Sequence, residues 1–200
     1  MKPYAGIGAR ELNPDLQHEF FNIGCELARF GYTLRSGGAS GADSAFERGC
    51  DSALGKKEIF LPWKKFSGNI SQYILPNPIP TDVATIAKEI YPHWDYVTEP
   101  VRRLHARNVY QILGWDLNSP SHFVVCYTER PYDDPKAVGG TLFGIKLAEK
   151  HEIPVYNFYV RGTRERFYKM LEILKTEGID TSDIPELTQE QTEEMKKFFS

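Results

Sequence analysis

Two glycine-rich stretches hold the residues whose types and spacing suggest chemistry. The first is Arg35-Ser-Gly-Gly-Ala-Ser-Gly-Ala-Asp43, where Ser36, Gly37, Gly38, Ser40 and Gly41 separate a short apolar run at 32–35 from a helical pattern at about 42–53. Glycine lets backbone approach a ligand closely, and a helix starting straight after such a turn offers unpaired N–H groups and its positive dipole end. The guest that fits is a phosphate. The second stretch, Ala137-Val-Gly-Gly-Thr-Leu142, sets Gly139, Gly140 and Thr141 between the apolar run 123–127 and an amphipathic run 142–150. A third turn, Gly6-Ile-Gly-Ala-Arg10, brings Gly8 and Arg10 to the end of the first apolar run. The spacing matches neither the dinucleotide fingerprint nor the ATP-binding P-loop, which needs a Lys-Ser or Lys-Thr pair.

Charged residues elsewhere complete the set. Within a helical run at 99–114, Arg103 and Arg107 stand four residues apart on one side, and Asn108 follows. An arginine facing the loops would supply a charge-assisted contact to the phosphate, and its removal is expected to weaken binding while leaving the fold intact. His105 reads as a structural histidine. Asp43 and Glu47, also four apart, are the carboxylates nearest the first loop. They are either candidates for catalysis or partners of the helix dipole.

These residues need a frame, and the alternation of apolar runs with helical patterns supplies one. Strand, turn, helix and strand recur along the chain, the mark of a Rossmann-like, doubly wound α/β fold with a mainly parallel sheet and helices on both faces. In such sheets ligands bind beyond the carboxyl ends of the strands, so the loops can share one crevice if their strands are neighbours. Asn13-Pro-Asp15 caps a helix to about residue 30, with Leu16, Phe20, Ile23, Leu27 and Phe30 as its buried stripe. A strand is expected at 58–61, a helix at 81–90, a last strand at 153–160 and a helix at 164–176. In the helix at 99–114, Val101, Leu104, Val109 and Ile112 form the expected buried side. The proline-punctuated stretch at about 63–100 reads as a cap over the site, its cluster Tyr91-Pro-His-Trp-Asp-Tyr96 lining a base pocket or forming the cap's own small core. A capping-box start at Thr188 opens a short C-terminal helix at about 188–199.

Composition narrows the classes. A chain of 200 residues suits one domain with one core, and a net charge of -3 gives no global footprint for nucleic acid. Three scattered cysteines and five histidines without metal spacing leave no expected metal or cofactor. No apolar run reaches membrane-spanning length and the first residues lack a signal-peptide layout, so a cytoplasmic protein without a membrane partner is expected.

Three segments carry a resemblance. Gly6-Ile-Gly-Ala-Arg10 with Arg35–Asp43, and Leu104-His-Ala-Arg-Asn108 with Gly139-Gly-Thr141, resemble the SLOG superfamily, the Rossmann-like group that includes DprA and the LOG phosphoribohydrolases. The likeness covers roughly residues 3 to 160. It implies a nucleotide-like ligand across the strand ends, Arg107 at its sugar-phosphate, and a homodimer by analogy with dimeric relatives. One departure is plain: LOG enzymes carry a glutamate shortly after the Gly-Thr, whereas Thr141 is followed by Leu142-Phe-Gly-Ile145. Three readings follow. The chain is a module binding a phosphorylated nucleotide or nucleotide-derived signal, an N-glycosidase of nucleoside monophosphates with its carboxylate displaced to Asp43 or Glu47, or a DprA-like single-stranded DNA binder.

Overall fold

Strands and helices alternate through the computed structural model, which describes residues 2–129 and 139–176. Strands β1 (Lys2–Gly8), β2 (Tyr32–Ser36), β3 (Lys56–Ile59), β4 (Val124–Tyr127) and β5 (Val155–Asn157) form one sheet in the order β3-β2-β1-β4-β5, all pairs parallel. Parallel neighbours need crossovers, and helices α1 (Pro14–Arg29), α2 (Ala42–Ser52), α3 (Thr81–Ile90), α4 (Glu99–Leu113) and α5 (Gly140–Lys150) provide them; α6 (Thr163–Thr176) follows β5. After β3 the chain crosses to the far side of β1 to lay down β4. The winding therefore reverses between β1 and β4, which opens a crevice there.

Alternation along the strands sends side chains to two cores. Tyr4, Tyr32, Leu34, Phe123 and Val125 pack with α1, α2 and α6, whereas Ala5, Ile7, Val124 and Cys126 pack with α3, α4 and α5. Helices thus cover both faces, as the sequence pattern requires. Helix α1 shows how local signals suffice: the Asn13 side chain accepts from Leu16 N at 2.8 Å, Pro14 opens the first turn, and Leu16, Phe20, Ile23 and Leu27 are buried. Phe30, expected to finish that stripe, is the capping residue and only half-buried. Truncating Phe20 to alanine would cost on the order of 3–5 kcal/mol.

No described residue from 63–100 lines the cleft at the strand ends. Leu75, Val83, Ala87, Ile90 and Trp94 are buried in the core shared with α4 and α5. Leu61 pairs with Ile74 in a parallel bridge, and Arg103 donates to the carbonyls of Pro62 (2.8 Å), Leu75 (2.7 Å) and Pro76 (3.1 Å). Arg103 is thereby spent as a clamp instead of standing beside Arg107 at a ligand. The aromatic cluster also divides: Trp94 enters the core, Tyr91 stacks on His105 and Tyr96 is exposed. Strand β3 starts and ends two residues earlier than expected, β5 is shorter, and the expected helix at 188–199 lies outside the described residues.

Candidate functional site

Beyond the carboxyl ends of β1, β2 and β4 lies a cleft of about 440 Å³, a size suited to a small ligand. Residues Ile7–Glu11 enter it from the end of β1, Ala39 and Asp43 from the turn after β2, Thr128 from the end of β4, and Gly139–Leu142 from the start of α5. Helix α4 forms the remaining wall with Val101, Leu104, His105, Arg107, Asn108 and Gln111. Most of these recur three or four residues apart and so share one side of the helix. The strands of the two glycine-rich loops are not neighbours, since β1 separates them. The loops meet at one cleft because the β1 turn lies between them. A second, shallower depression of about 340 Å³, lined by Gln17, His18, Phe21 and Arg48, lies on α1 and α2 and has no buried unpaired polar group.

Two amides of the first glycine-rich loop are taken by a carboxylate at its end. Asp43, in the first turn of α2, accepts from Gly37 N at 3.2 Å and Ala39 N at 3.3 Å through the same oxygen, Oδ2. Ala42 N donates to the Ala9 carbonyl at 3.1 Å. Gly41 permits that contact: its φ is +78°, and a β-carbon there would stand 2.3 Å from the Ala9 oxygen. An anion at this turn would meet a carboxylate already in place. Ser36 donates to the Gly6 carbonyl at 2.7 Å, the Gly38 carbonyl accepts from Asn69 Nδ2 at 2.7 Å, and Ser40 is exposed. Ser36, Gly37, Gly38, Ser40 and Gly41 consequently shape the turn and do not line the cleft. Glu47, one turn along α2, lies off the cleft and accepts from Lys57 Nζ at 2.8 Å.

Behind that turn sits an ion pair. Arg107 Nη1 lies 3.9 Å from Asp43 Oδ2, with side chains 9% and 4% exposed. Burial lifts the Asp43 pKa above the usual carboxylate range, while Arg107 and the two loop amides pull it down. Burial likewise lowers the pKa of Arg107, against the pull of Asp43 and with some help from Arg10.

The second loop is built differently. Gly139 caps α5 in extended geometry, no described side chain caps the helix, and its first turn holds no acidic residue. Asn108 Nδ2 donates to the Gly140 carbonyl at 3.1 Å, tying the start of α5 to α4. Gly140, Thr141 and Leu142 of the α5 first turn line the cleft, and helix geometry leaves first-turn N–H groups without intrahelical acceptors. Gly8, Arg10, Asp43, Arg107, Asn108, Gly139, Gly140 and Thr141 are the sequence-nominated residues brought together.

Three polar atoms on the α4 wall are buried without a hydrogen-bond partner among the described residues: His105 Nδ1, Arg107 Nε and Gln111 Nε2. Each such atom costs about 1–3 kcal/mol unless a partner satisfies it. His105 packs between Tyr91 (ring centroids 4.4 Å apart) and Phe143 (5.2 Å); burial, with a smaller push from Arg107, lowers its pKa to about 4. It is therefore neutral near pH 7. Sequence reasoning passed over Gln111, Glu11 and Thr128 and read His105 as structural. The available signal was spacing, because His105 and Gln111 stand three residues either side of Asn108. No group of His, Cys, Asp and Glu able to hold a metal occurs among the described residues, and no described helix is long and apolar enough to cross a membrane.

No protein-family model matches the chain, and no curated protein does. Among solved structures it is similar to one described as "Structural insights into the unique single-stranded DNA binding mode of DNA processing protein A from Helicobacter pylori". That match has 20% identity and a TM-score of 0.51, covering 85% of this chain and 73% of the other. The Chlamydomonas rheinhardtii Moco carrier protein matches at 17% identity over 86% of each chain, with a TM-score of 0.47 too low to argue from. The fold is thus shared with DNA processing protein A and is the Rossmann-like fold implied by the SLOG resemblance.

Proposed function

We propose that the cleft binds a phosphorylated nucleotide or nucleotide-derived signal, with its phosphate at the start of α5. One observation carries the reading: the first turn of α5, uncapped by any described side chain, lines one cleft together with Arg10 and Arg107. Arg107 Nε and Gln111 Nε2 are donors, the α5 amides are donors, and Arg10 adds positive charge at the mouth. A ligand rich in acceptor oxygens satisfies them together, and the helix dipole favours its charge. Val101, Leu104 and Leu142 offer apolar surface for the uncharged part of the ligand. Gly8, Arg10, Arg107, Gly139, Gly140 and Thr141 act in contact with it; Asn108 aims α5; the 36–41 turn and Asp43 hold Arg107.

The two carboxylates nominated for cleavage of an N-glycosidic bond are engaged elsewhere, which favours binding over cleavage by either; Glu11 is a further carboxylate on the cleft. Glu47 is paired with Lys57, and Asp43 is engaged by two amides and Arg107. Thermal denaturation against nucleoside phosphates, cyclic nucleotides and ADP-ribose derivatives tests the proposal. A ligand at about 100 times its Kd should stabilise the protein by roughly 2.7 kcal/mol. Silence across that panel with binding of single-stranded oligonucleotides would refute it, and free base released from a nucleoside monophosphate would restore the glycosidase.

A further inference from the structure

Resting on the reading of the cleft as an anion site, we infer that Gly37 and Asp43 are positioning residues for Arg107, seating its guanidinium in the wall of the cleft where the ligand binds. The motif that looked like a phosphate loop is then an arginine seat. A β-carbon built on Gly37 would stand 1.5 Å from Arg107 Nη1, 2.1 Å from Cζ and 2.6 Å from Nη2. The Nη end of the guanidinium therefore occupies the space that any other residue at position 37 would fill. Nε, absent from those three nearest atoms, is buried without a hydrogen-bond partner among the described residues.

Asp43 holds the other side of the seat. Its Oδ2 collects Gly37 N, Ala39 N and, at 3.9 Å, Arg107 Nη1, so a single oxygen fixes both the turn and the charge. A guanidinium is planar, so pinning its Nη1 side fixes the orientation of the whole group. The turn after β2 thus contributes to binding without touching the ligand, through the residue it seats.

The Arg107 Nε–H proton reports this seat directly. In protein labelled with ¹⁵N-arginine, one Nε–H resonance, identified by its disappearance in Arg107→Lys, should exchange slowly with solvent and shift when adenosine 5′-monophosphate or inorganic phosphate is added. Asp43→Asn keeps an acceptor oxygen for the loop amides but removes the charge, and Gly37→Ala fills the seat. Each should move or broaden that resonance before any ligand is present and weaken binding of both probes at least tenfold. On an Arg107→Lys background Asp43→Asn should add less than twofold, since the residue it positions has gone. A resonance unmoved in both folded variants overturns the inference, and if one variant fails to fold the other decides. A resonance moved by both variants in a protein that binds neither probe supports the seat and counts against the nucleotide reading.

Discussion

Arg107→Ala should cost stability as well as affinity, although the sequence alone suggested that removing this side chain would spare the fold. The reason is the buried partner it leaves behind. At 3.9 Å, with side chains 9% and 4% exposed, the Arg107–Asp43 attraction is about 4 kcal/mol at an effective dielectric near 20, within the ~3–5 kcal/mol lost on breaking buried pairs. Losing the unpaired Nε returns about 1 kcal/mol, which leaves a net cost of roughly 2–4 kcal/mol. For a chain of this size that lowers Tm by about 4–16 °C. Calorimetry and urea denaturation of wild type, Arg107→Ala, Asp43→Asn and the double variant Asp43→Asn/Arg107→Met measure it. The double variant removes both charges, keeps an acceptor for the amides of Gly37 and Ala39, and should return to within about 1 kcal/mol of wild type. A folded Arg107→Ala protein melting with wild type, or a double variant as weak as Arg107→Ala, would refute the buried-pair account.

The other expectations concern the walls of the cleft. Because the His105 pKa falls from 6.5 to about 4 in the folded protein, its contribution is full above pH 6.5 and is lost as pH falls toward 4. That step is worth on the order of 3 kcal/mol, and His105→Phe should flatten it in urea titrations across this range. Thr141→Asp should leave the protein as stable or add about 0.3–1 kcal/mol through the α5 dipole, yet abolish the thermal shift given by phosphorylated probes. Arg103→Ala, releasing three carbonyls on the 62–76 segment, should cost on the order of 2–3 kcal/mol while leaving probe affinity within about twofold. A matching loss of affinity would return that segment to the site.

Much of the frame was legible in the sequence because it is set by neighbours a few residues apart. Asn13, Pro14 and the Leu16–Leu27 stripe specify α1 without help from the rest of the chain. Three glycine turns after apolar runs placed the cleft at the strand ends, and Arg107, Asn108 and Gly139–Thr141 fell on its walls. What each group does there was decided by the tertiary fold. The turn at 36–41 has the glycines of an anion loop, but whether its amides are free depends on Asp43 folding back and on Arg107 arriving from α4. Prolines and aromatics at 63–100 suggest a cap; that α3 buries one face in the core and that Arg103 grips the segment could be read only from the fold. Asp43 and Glu47 look equivalent by spacing until Lys57, on β3, claims one of them. Local pattern determined where hydrogen-bonding groups would be; contacts between residues far apart in the chain determined which of those groups were already engaged.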